Sequence, residues 1–296
     1  MIKQSINSPV LHRTIEIDGI EIFYREDGPK DAPNILLPHG YPSSSFQFRN
    51  FIPALADRWH LIAPDFPGFG YSGTPDPMHF SYTFNRYADF LERFTNSMNL
   101  TRYVLYLHDY GSQIGLRMAM KAPERIVALI IQNGDIYEDE FGTKYKELKE
   151  FWNNPTQERR VKLSKAVSEE GFRDEFVNNV SDNLIEQISP DLWKLSWSLL
   201  QHHPYRREIM IGLMEGLRDN LNWFPRYQSY LHDNQPPTLI VWGRHDGYMP
   251  EGAARAYLRD LPNAELHLLE GGHWALETNL QEIVTLTRDF LASVHH

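Results

Sequence analysis

The sequence predicts an α/β protein in which strands and helices alternate along the chain and build a mostly parallel sheet. The two strands nearest the N-terminus flank Asp18-Gly19, a dipeptide typical of a tight β-hairpin turn. The later strands are short apolar runs separated by stretches of helical periodicity, which is the pattern of βαβ units. A parallel sheet of this kind is buried on both faces. The predicted strands are Thr14–Ile17, Ile20–Tyr24, Asn34–Leu37, His60–Ala63, Arg102–Leu107, Val127–Ile131, Thr238–Trp242 and Ala264–Leu269.

A segment without a convincing strand interrupts this alternation between Ile136 and Asn234. It is rich in aromatic and charged residues and predicts helices and loops. We therefore predict one α/β core domain, formed by residues 1–135 and 235–296, with a helical cap inserted at 136–234. Four of the seven tryptophans lie in the cap, where most would fill a small helical core and one or two could face an apolar substrate. Core helices are predicted around Phe46–Ala56, Phe84–Met98, Gly111–Ala122, Gly252–Leu261 and Leu280–Leu291.

The composition is that of a globular protein with a sizeable core. Of its 296 residues, 42% are hydrophobic and 23% are charged. No run approaches the ~20 apolar residues that cross a bilayer, and the segment from Met1 to Leu11 lacks the apolar stretch and cleavage site of a signal peptide. The lack of cysteine excludes disulfides and thiol catalysis and suits a reducing compartment. We therefore expect a soluble, cytoplasmic protein with no membrane partner.

Charge and histidine spacing restrict the partners further. The formal net charge is −10 and there is no basic tract, which argues against a nucleic-acid partner. The thirteen histidines are scattered, and the pairs His202-His203 and His295-His296 lack ligand-like spacing. No H-E-x-x-H pattern occurs. We expect no metal site, and a monomer or a homodimer.

The turn after Leu107 is the best candidate for chemistry. Asp109 stands where a strand passes directly into a helix, and Gly111 follows two residues later, where crowding demands a small side chain. Ser112 is a rival nucleophile, but a serine motif would have glycine on both sides of it, two residues away, and it has neither. Taken alone, Asp109 could equally serve as a helix N-cap.

Two later segments could supply partners for a nucleophilic Asp109. Such a carboxylate forms an ester, and a general base must then activate water to hydrolyse it. His273 follows the last strand after two glycines, which allow a tight loop. Asp246 ends the preceding strand and could orient the imidazole, while Asp135, after the strand before the cap, is an alternative. Backbone N–H groups of Tyr110 and of Tyr41, in the loop after an earlier strand, could hold an oxyanion.

These motifs resemble those of the epoxide hydrolase and haloalkane dehalogenase branch of the α/β-hydrolases, over nearly the whole chain outside the cap. The resemblance implies the α/β-hydrolase fold, with a mostly parallel eight-stranded sheet, and a triad in the chain order of nucleophile, acid and histidine. Epoxide hydrolases carry an H-G-x-P loop, a G-x-small-x-Ser/Thr loop and a His-Asp-Trp-Gly elbow. The matching segments are His39–Pro42, Gly68–Ser72 and His108–Gly111. Gln132–Glu138 and Gly272–Thr278 are similar to a small epoxide-hydrolase-like subgroup with Asp-Tyr-Gly elbows.

Departures from the family patterns concern the leaving group. Haloalkane dehalogenases hold the halide with a tryptophan after the nucleophile and often an asparagine in the oxyanion loop, where this chain has Tyr110 and Tyr41. Leu107, where epoxide hydrolases usually have glycine, is more similar to the dehalogenases. Epoxide hydrolases protonate the opening oxygen with cap tyrosines. The cap and its borders offer Tyr137, Tyr145, Tyr205, Tyr227 and Tyr230, of which we select Tyr137 and Tyr230, and we expect His39, His108 and Trp152 also to contact the substrate.

The resemblance therefore implies an epoxide hydrolase that acts on a small apolar substrate without a cofactor. Asp109 would attack an epoxide carbon, and His273, oriented by Asp246, would activate the water that cleaves the ester. Dehalogenation by the same attack is the main alternative. Cleavage of an ester or lactone, and a ligand-binding protein of this fold without catalytic activity, are the others.

Overall fold

Eight strands form one sheet in the structure, a computed structural model that describes residues 9–294. The sheet order is β1-β2-β4-β3-β5-β6-β7-β8. The first hairpin and the pairing of β2 with β4 are antiparallel, and all the other pairs are parallel. This confirms the predicted fold class. The strands are β1 Leu11–Ile17, β2 Ile20–Asp27, β3 Asn34–Leu36, β4 His60–Pro64, β5 Tyr103–His108, β6 Ile126–Gln132, β7 Thr238–Gly243 and β8 Glu265–Leu269.

The described residues also form thirteen α-helices. Six of them belong to the parts of the chain that alternate with strands, and seven lie between β6 and β7. The helices are α1 Phe51–Leu55, α2 Phe84–Ser97, α3 Asp109–Lys121, α4 Tyr145–Asn153, α5 Gln157–Ser164, α6 Glu169–Val177, α7 Asp182–Ile185, α8 Asp191–Gln201, α9 Arg206–Leu221, α10 Phe224–Asn234, α11 Glu251–Ala256, α12 Ala275–Thr278 and α13 Leu280–Ser293.

The hairpin between β1 and β2 follows from its turn residues. Asp18 and Gly19 both have positive φ, +52° and +76°, as a two-residue turn that matches strand twist requires. Glycine adopts this conformation without steric cost, and aspartate tolerates it better than most residues. The turn thereby sets the register in which Ile17 pairs with Ile20.

Two apolar layers cover the sheet because successive strand residues point to opposite faces. In β5, Leu105 and Leu107 join the core under α2 and α3, whereas Val104 and Tyr106 join the core on the other face. That second core includes residues of α1 and α13. All six residues of β5 are buried, as are all six of β7, which explains why these strands are continuous apolar runs.

The segment 136–234 contains helices α4 to α10 and no strand. It leaves the sheet after β6 and returns at β7, and these two strands pair directly, with Leu129 opposite Thr238. The sheet therefore continues past the segment without a gap. The boundaries of the proposed core and cap domains remain a prediction.

No helix in the described part of the chain is both long and apolar enough to cross a membrane. Residues 1–8, which hold most of the segment considered for a signal peptide, and the pair His295-His296 lie outside the described residues.

The chain reverses its direction across the sheet at β3. From β3 it passes to β4 on one side and then to β5 on the other. The loops that follow β3 and β5 therefore separate at the carboxyl end of the sheet and leave a crevice between them, which is where open α/β sheets bind ligands. The loop that contains Tyr41 and the turn that contains Asp109 both lie there.

The packing of α3 against the end of β3 predicts a large effect of a small substitution. A methyl group on Gly111 would overlap the backbone carbonyl oxygen of Pro38, which cannot move like a flexible side chain. We expect Gly111→Ala to destabilise the protein by about 1–3 kcal/mol, measured by urea unfolding. Gly212 on α9 has no atom within 4 Å of such a methyl group, so Gly212→Ala should instead stabilise by about 0.5–1 kcal/mol. Equal effects of the two changes would contradict this packing argument.

Candidate active site

Asp109 occupies a strained turn between strand and helix. β5 ends at His108 and α3 begins at Asp109, whose φ is +48°, in the left-handed region that costs a non-glycine residue about 1–3 kcal/mol. The turn is packed tightly, because a Cβ on Gly40 would lie 2.7 Å from that of Asp109. Ser112 is fully buried and its hydroxyl donates to the Asp109 backbone carbonyl at 2.6 Å. Its side chain therefore braces the turn.

The two carboxylate oxygens of Asp109 have different surroundings. Oδ1 accepts the backbone N–H of Tyr41 at 2.6 Å, and the N–H of Tyr110 also donates to this carboxylate. Oδ2 lies 3.6 Å from Nε2 of His273. One oxygen is thus held by backbone donors, while the other has an imidazole beside it at more than hydrogen-bond distance.

Asp246 is hydrogen-bonded to the other ring nitrogen of His273. Its Oδ2 lies 2.6 Å from Nδ1 of His273, and its side chain is fully buried. Asn133 donates to the same oxygen at 2.9 Å, and the N–H of Tyr248 donates to Oδ1 at 2.8 Å. A carboxylate fixed in this way sets the tautomer of the imidazole and stabilises its protonated form.

The charged forms of His273, Asp109 and Asp246 stabilise one another. Burial by itself would lower the pKa of the His273 imidazole, but Asp246 and Asp109 together raise it well above its usual value. Burial would likewise raise the pKa of the Asp109 carboxyl, but the hydrogen bond and charge of His273 lower it. Both shifts favour the charged forms, a carboxylate beside an imidazolium.

His108, the residue before Asp109, is hydrogen-bonded to the backbone of His273. Burial lowers the pKa of the His108 imidazole to about 3, so the ring is neutral. Its Nε2 lies 3.1 Å from the backbone carbonyl oxygen of His273, and its Nδ1 lies 3.1 Å from the side-chain amide of Gln47. A neutral histidine can donate to the first and accept from the second, and so anchors the loop that carries His273.

A cavity opens at Asp109 between the end of the sheet and the helices of segment 136–234. The cavity is small and has both polar and apolar side chains in its wall. Five lining residues come from the sheet side and five from the helical segment. They are Tyr41, Asp109, Tyr110, Tyr248 and Met249, and Tyr145, Leu148, Glu175, Met214 and Leu217.

Two of the cavity tyrosines are hydrogen-bonded to carboxyl groups, of which Asp135 is fully buried and Glu175 is partly exposed. Tyr248 donates to Oε1 of Glu175 at 2.7 Å, and Tyr145 donates to Oδ2 of Asp135 at 2.6 Å. Burial raises the pKa of each carboxyl to about 7. The Tyr145 and Tyr248 rings meet edge to face, with centroids 5.5 Å apart.

Comparison with known proteins places this geometry in a family. Residues 33–280 match the model of the alpha/beta hydrolase fold. The chain belongs to the α/β-hydrolase family. An uncharacterized hydrolase of Saccharomyces cerevisiae is 32% identical over 93% of this chain and 96% of its own length. A cis-3-alkyl-4-alkyloxetan-2-one decarboxylase of Shewanella oneidensis is 35% identical over 96% of this chain and 89% of its own length.

The resemblance to epoxide hydrolases and haloalkane dehalogenases is also confirmed. A haloalkane dehalogenase of Mycolicibacterium paratuberculosis is 36% identical over 39% of this chain and 38% of its own length. Among solved structures, a loop variant of a haloalkane dehalogenase from Bradyrhizobium elkanii has a TM-score of 0.80 at 21% identity and covers 97% of this chain and 98% of its own. The epoxide hydrolase CorEH has a TM-score of 0.77 at 20% identity and covers 97% of this chain and 100% of its own.

Several predicted site residues of this α/β-hydrolase lie together. Asp109, His273 and Asp246 form one connected group, and the N–H groups of Tyr41 and Tyr110 point at the Asp109 carboxylate. Asp135, the alternative orienting acid, is bonded to Tyr145 and Gln113 instead of His273.

The two tyrosines selected for the leaving group lie elsewhere. Tyr137 donates its hydroxyl to Asp260 at 2.6 Å, beyond the wall of the cavity. Tyr230 is buried near Tyr103, at the start of β5 and so at the opposite end of the strand from Asp109. Neither tyrosine lines the described cavity at Asp109, so the structure does not bring them to the nucleophile.

The other three predicted substrate contacts are structural residues. His39 accepts the N–H of Phe66 at 3.0 Å, and His108 supports the loop of His273. Trp152 donates to the carbonyl oxygen of Met214 at 3.3 Å and lies behind Tyr145. All three are buried, and none of them lines the described cavity.

Sequence reasoning missed Glu175 and Tyr248 and did not select Tyr145. Tyr248 follows Asp246 by two residues, so its proximity to the triad could have been inferred. Glu175 offered no such signal, because an acidic residue in an amphipathic helix is ordinarily solvent-exposed. Only the packing of α6 against the loop of His273 brings it to the cavity.

The contact of Asp246 with His273 predicts a shift in titration. In Asp246→Asn the side chain keeps its size but loses its charge, so the pKa of His273 should fall by about 1 or more. Titration of the imidazole signals by NMR measures this. Asp260→Asn, which changes a carboxyl group remote from the triad, is the matched control and should leave His273 unchanged. An unshifted His273 in Asp246→Asn would show that Asp246 does not stabilise the imidazolium.

Proposed function

We propose that this α/β-hydrolase opens and hydrolyses epoxides through a covalent ester on Asp109. Oδ2 of Asp109 attacks an epoxide carbon while Oδ1 stays bound to the N–H of Tyr41. The lowered pKa of Asp109 supports this role, because the nucleophile must be ionised before the substrate enters.

The side chains that line the cavity favour oxygen as the leaving group. Four tyrosines line the cavity together with the nucleophile, whereas no lining side chain of the described cavity has an N–H donor. The Tyr41 hydroxyl is buried and has no hydrogen-bond partner among the described residues. A buried donor without a partner is unfavourable unless a ligand satisfies it. The oxygen of an opening epoxide carries developing charge and requires such a hydroxyl group.

His273 acts in the second half of the reaction. Once Asp109 is esterified it has no charge, so one of the two carboxylates that raise the pKa of the imidazole is removed. His273 can then lose its proton and take another from an attacking water. The N–H groups of Tyr41 and Tyr110 stabilise the oxyanion of the tetrahedral intermediate. Cleavage of the ester releases a vicinal diol and restores Asp109.

A second candidate is reaction with a four-membered oxetan-2-one. The decarboxylase of Shewanella oneidensis is similar to this chain over nearly its full length, and the oxetan-2-one in its name is, like an epoxide, a strained oxygen ring. Opening such a ring at its C–O single bond yields a carboxylate, which needs less help from acidic hydroxyls than an alkoxide does. For that reason the epoxide is preferred.

Mass spectrometry of His273→Gln tests the proposal. This variant should form the ester but hydrolyse it at least about 10²-fold more slowly, so the adduct accumulates. With an epoxide the protein gains the whole substrate mass, since no atom leaves. With a haloalkane it gains the alkyl group without the halogen. Peptide mapping should locate the adduct on Asp109.

The double variant Asp109→Asn, His273→Gln is the control and should give no adduct. Adducts from haloalkanes alone would establish dehalogenation instead, and conversion of oxetan-2-ones to alkene and CO₂ by the unaltered protein would establish decarboxylation. If His273→Gln forms no adduct with any of the three classes, covalent catalysis by Asp109 is rejected.

A further inference from the structure

Glu175 is a carboxyl group in the cavity that the triad does not use. It lies on α6, in the helical segment, and its Oε1 accepts the hydroxyl of Tyr248, which belongs to the loop after β7. Both residues line the cavity with Asp109. The pair therefore spans the boundary between the helices and the sheet, at the place where a substrate would meet the nucleophile.

The position of Glu175 is fixed relative to His273. The Trp274 indole donates to the backbone carbonyl oxygen of Glu175 at 3.1 Å, and the ring of Phe176 lies 4.3 Å from that of Trp274. Trp274 is the next residue after His273. Movement of α6 is therefore coupled to the loop that carries the base, and the Glu175 carboxyl remains near the reacting atoms.

The charges around Glu175 allow it to hold a proton at neutral pH. Burial is the main cause that raises its pKa to about 7, and the negative charge of Asp109 adds to it. The Tyr248 hydrogen bond and the positive charges of His273 and Lys144 act in the opposite direction. Tyr41 and Tyr110 also face this carboxyl group.

Asp135 has a similar pKa but is less suited to give up a proton. Both of its oxygens accept hydrogen bonds, from Gln113 at 3.1 Å and from Tyr145 at 2.6 Å. Glu175 accepts through Oε1 alone, and its Oε2 has no hydrogen-bond partner among the described residues. The Tyr41 hydroxyl has no hydrogen-bond partner among the described residues, so no acid is bonded to it that could replace a lost proton. Of these groups, the pair formed by Glu175 and Tyr248 has the connections of a proton relay.

We propose that Glu175, acting through Tyr248, supplies the proton that the opening ring oxygen receives. This rests on the proposed function. A lone pair of Asp109 Oδ2 forms the new C–O bond, and the ring C–O bond breaks with its electron pair on the ring oxygen. When Glu175 is protonated on Oε1, it donates to the Tyr248 oxygen and frees the Tyr248 hydroxyl proton. The ring oxygen takes that proton, and Tyr248 takes the proton of Glu175.

The relay is reset in the second half-reaction. Glu175 is then a carboxylate whose Oε2 can be reprotonated from solvent in the cavity. His273 loses its resting proton to solvent once the ester has formed, and a proton of the attacking water restores the imidazolium. The second proton of that water passes from the tetrahedral intermediate to the departing alkoxide oxygen and leaves Asp109 as a carboxylate. One proton is thus taken up and one released, so that one epoxide and one water yield one diol with no net change in the protein.

The test is the rate of ester formation against pH in the His273→Gln background. Glu175 loses its proton as the pH rises through its pKa, which is about 7 in the unaltered protein and higher once the positive charge of His273 is removed, so ester formation should decline above pH 7. Adding Glu175→Gln keeps the shape but removes the exchangeable carboxyl proton. We expect the rate at pH 6 to fall about 10²-fold and the decline above pH 7 to disappear. Tyr248→Phe should give a similar loss of rate.

Two matched controls separate this role from general effects. Glu170→Gln changes an exposed acid on the same helix, and Asp135→Asn changes the other carboxyl group with a pKa of about 7. Both should retain the decline above pH 7. An unchanged rate and pH profile in Glu175→Gln would overturn the relay while leaving the ester mechanism intact, and loss of the decline in Asp135→Asn alone would assign the acid to Asp135. Absence of any adduct in the His273→Gln parent would reject the proposed function itself, and the relay with it.

Discussion

The buried carboxylate of Asp109, held in a strained turn, is the constraint on which the rest of the site depends. A charge removed from water is costly unless it is paired and hydrogen-bonded. Here backbone N–H groups of Tyr41 and Tyr110 and the imidazole of His273 meet that cost. Each of them follows a different strand, so the charge is stable only when the carboxyl ends of β3, β5 and β8 are correctly assembled.

The same constraint explains the tight packing around the turn. Because the backbone of Asp109 is in the left-handed region, its side chain projects above the sheet, and the neighbouring chain must leave room for it. Gly40 and Gly111 provide that room, because a side chain at either position would collide with the turn or with the strand-end loop beside it. The contacts around Gly40 and Gly111 therefore affect both the stability of the protein and the position of the nucleophile. The strain of the turn is maintained by the packing of the whole sheet.

The helical segment adds a second set of titratable groups to the site. The triad contains a carboxylate and an imidazolium that stabilise one another, whereas Glu175 and Asp135 are carboxyl groups whose burial favours the neutral form. Acids in such contrasting environments can take opposite roles in one reaction. The helices α4 and α6 carry Tyr145 and Glu175 to the cavity, so the segment contributes polar chemistry as well as apolar walls.

Sequence patterns and the order of the motifs predict the eight strands, the position of the helical segment and the triad candidates Asp109, His273 and Asp246. The strands can be predicted because periodicity and turn glycines involve residues that are close together in the chain. The triad candidates follow from the order of the motifs along the chain. Which tyrosines reach the cavity depends on tertiary packing. Tyr137 and Tyr230 are directed into other parts of the core, while Tyr248, Tyr145 and Glu175 face Asp109. Helices in the segment pack through contacts between residues far apart in the chain, and no local pattern records which face of each helix meets the nucleophile.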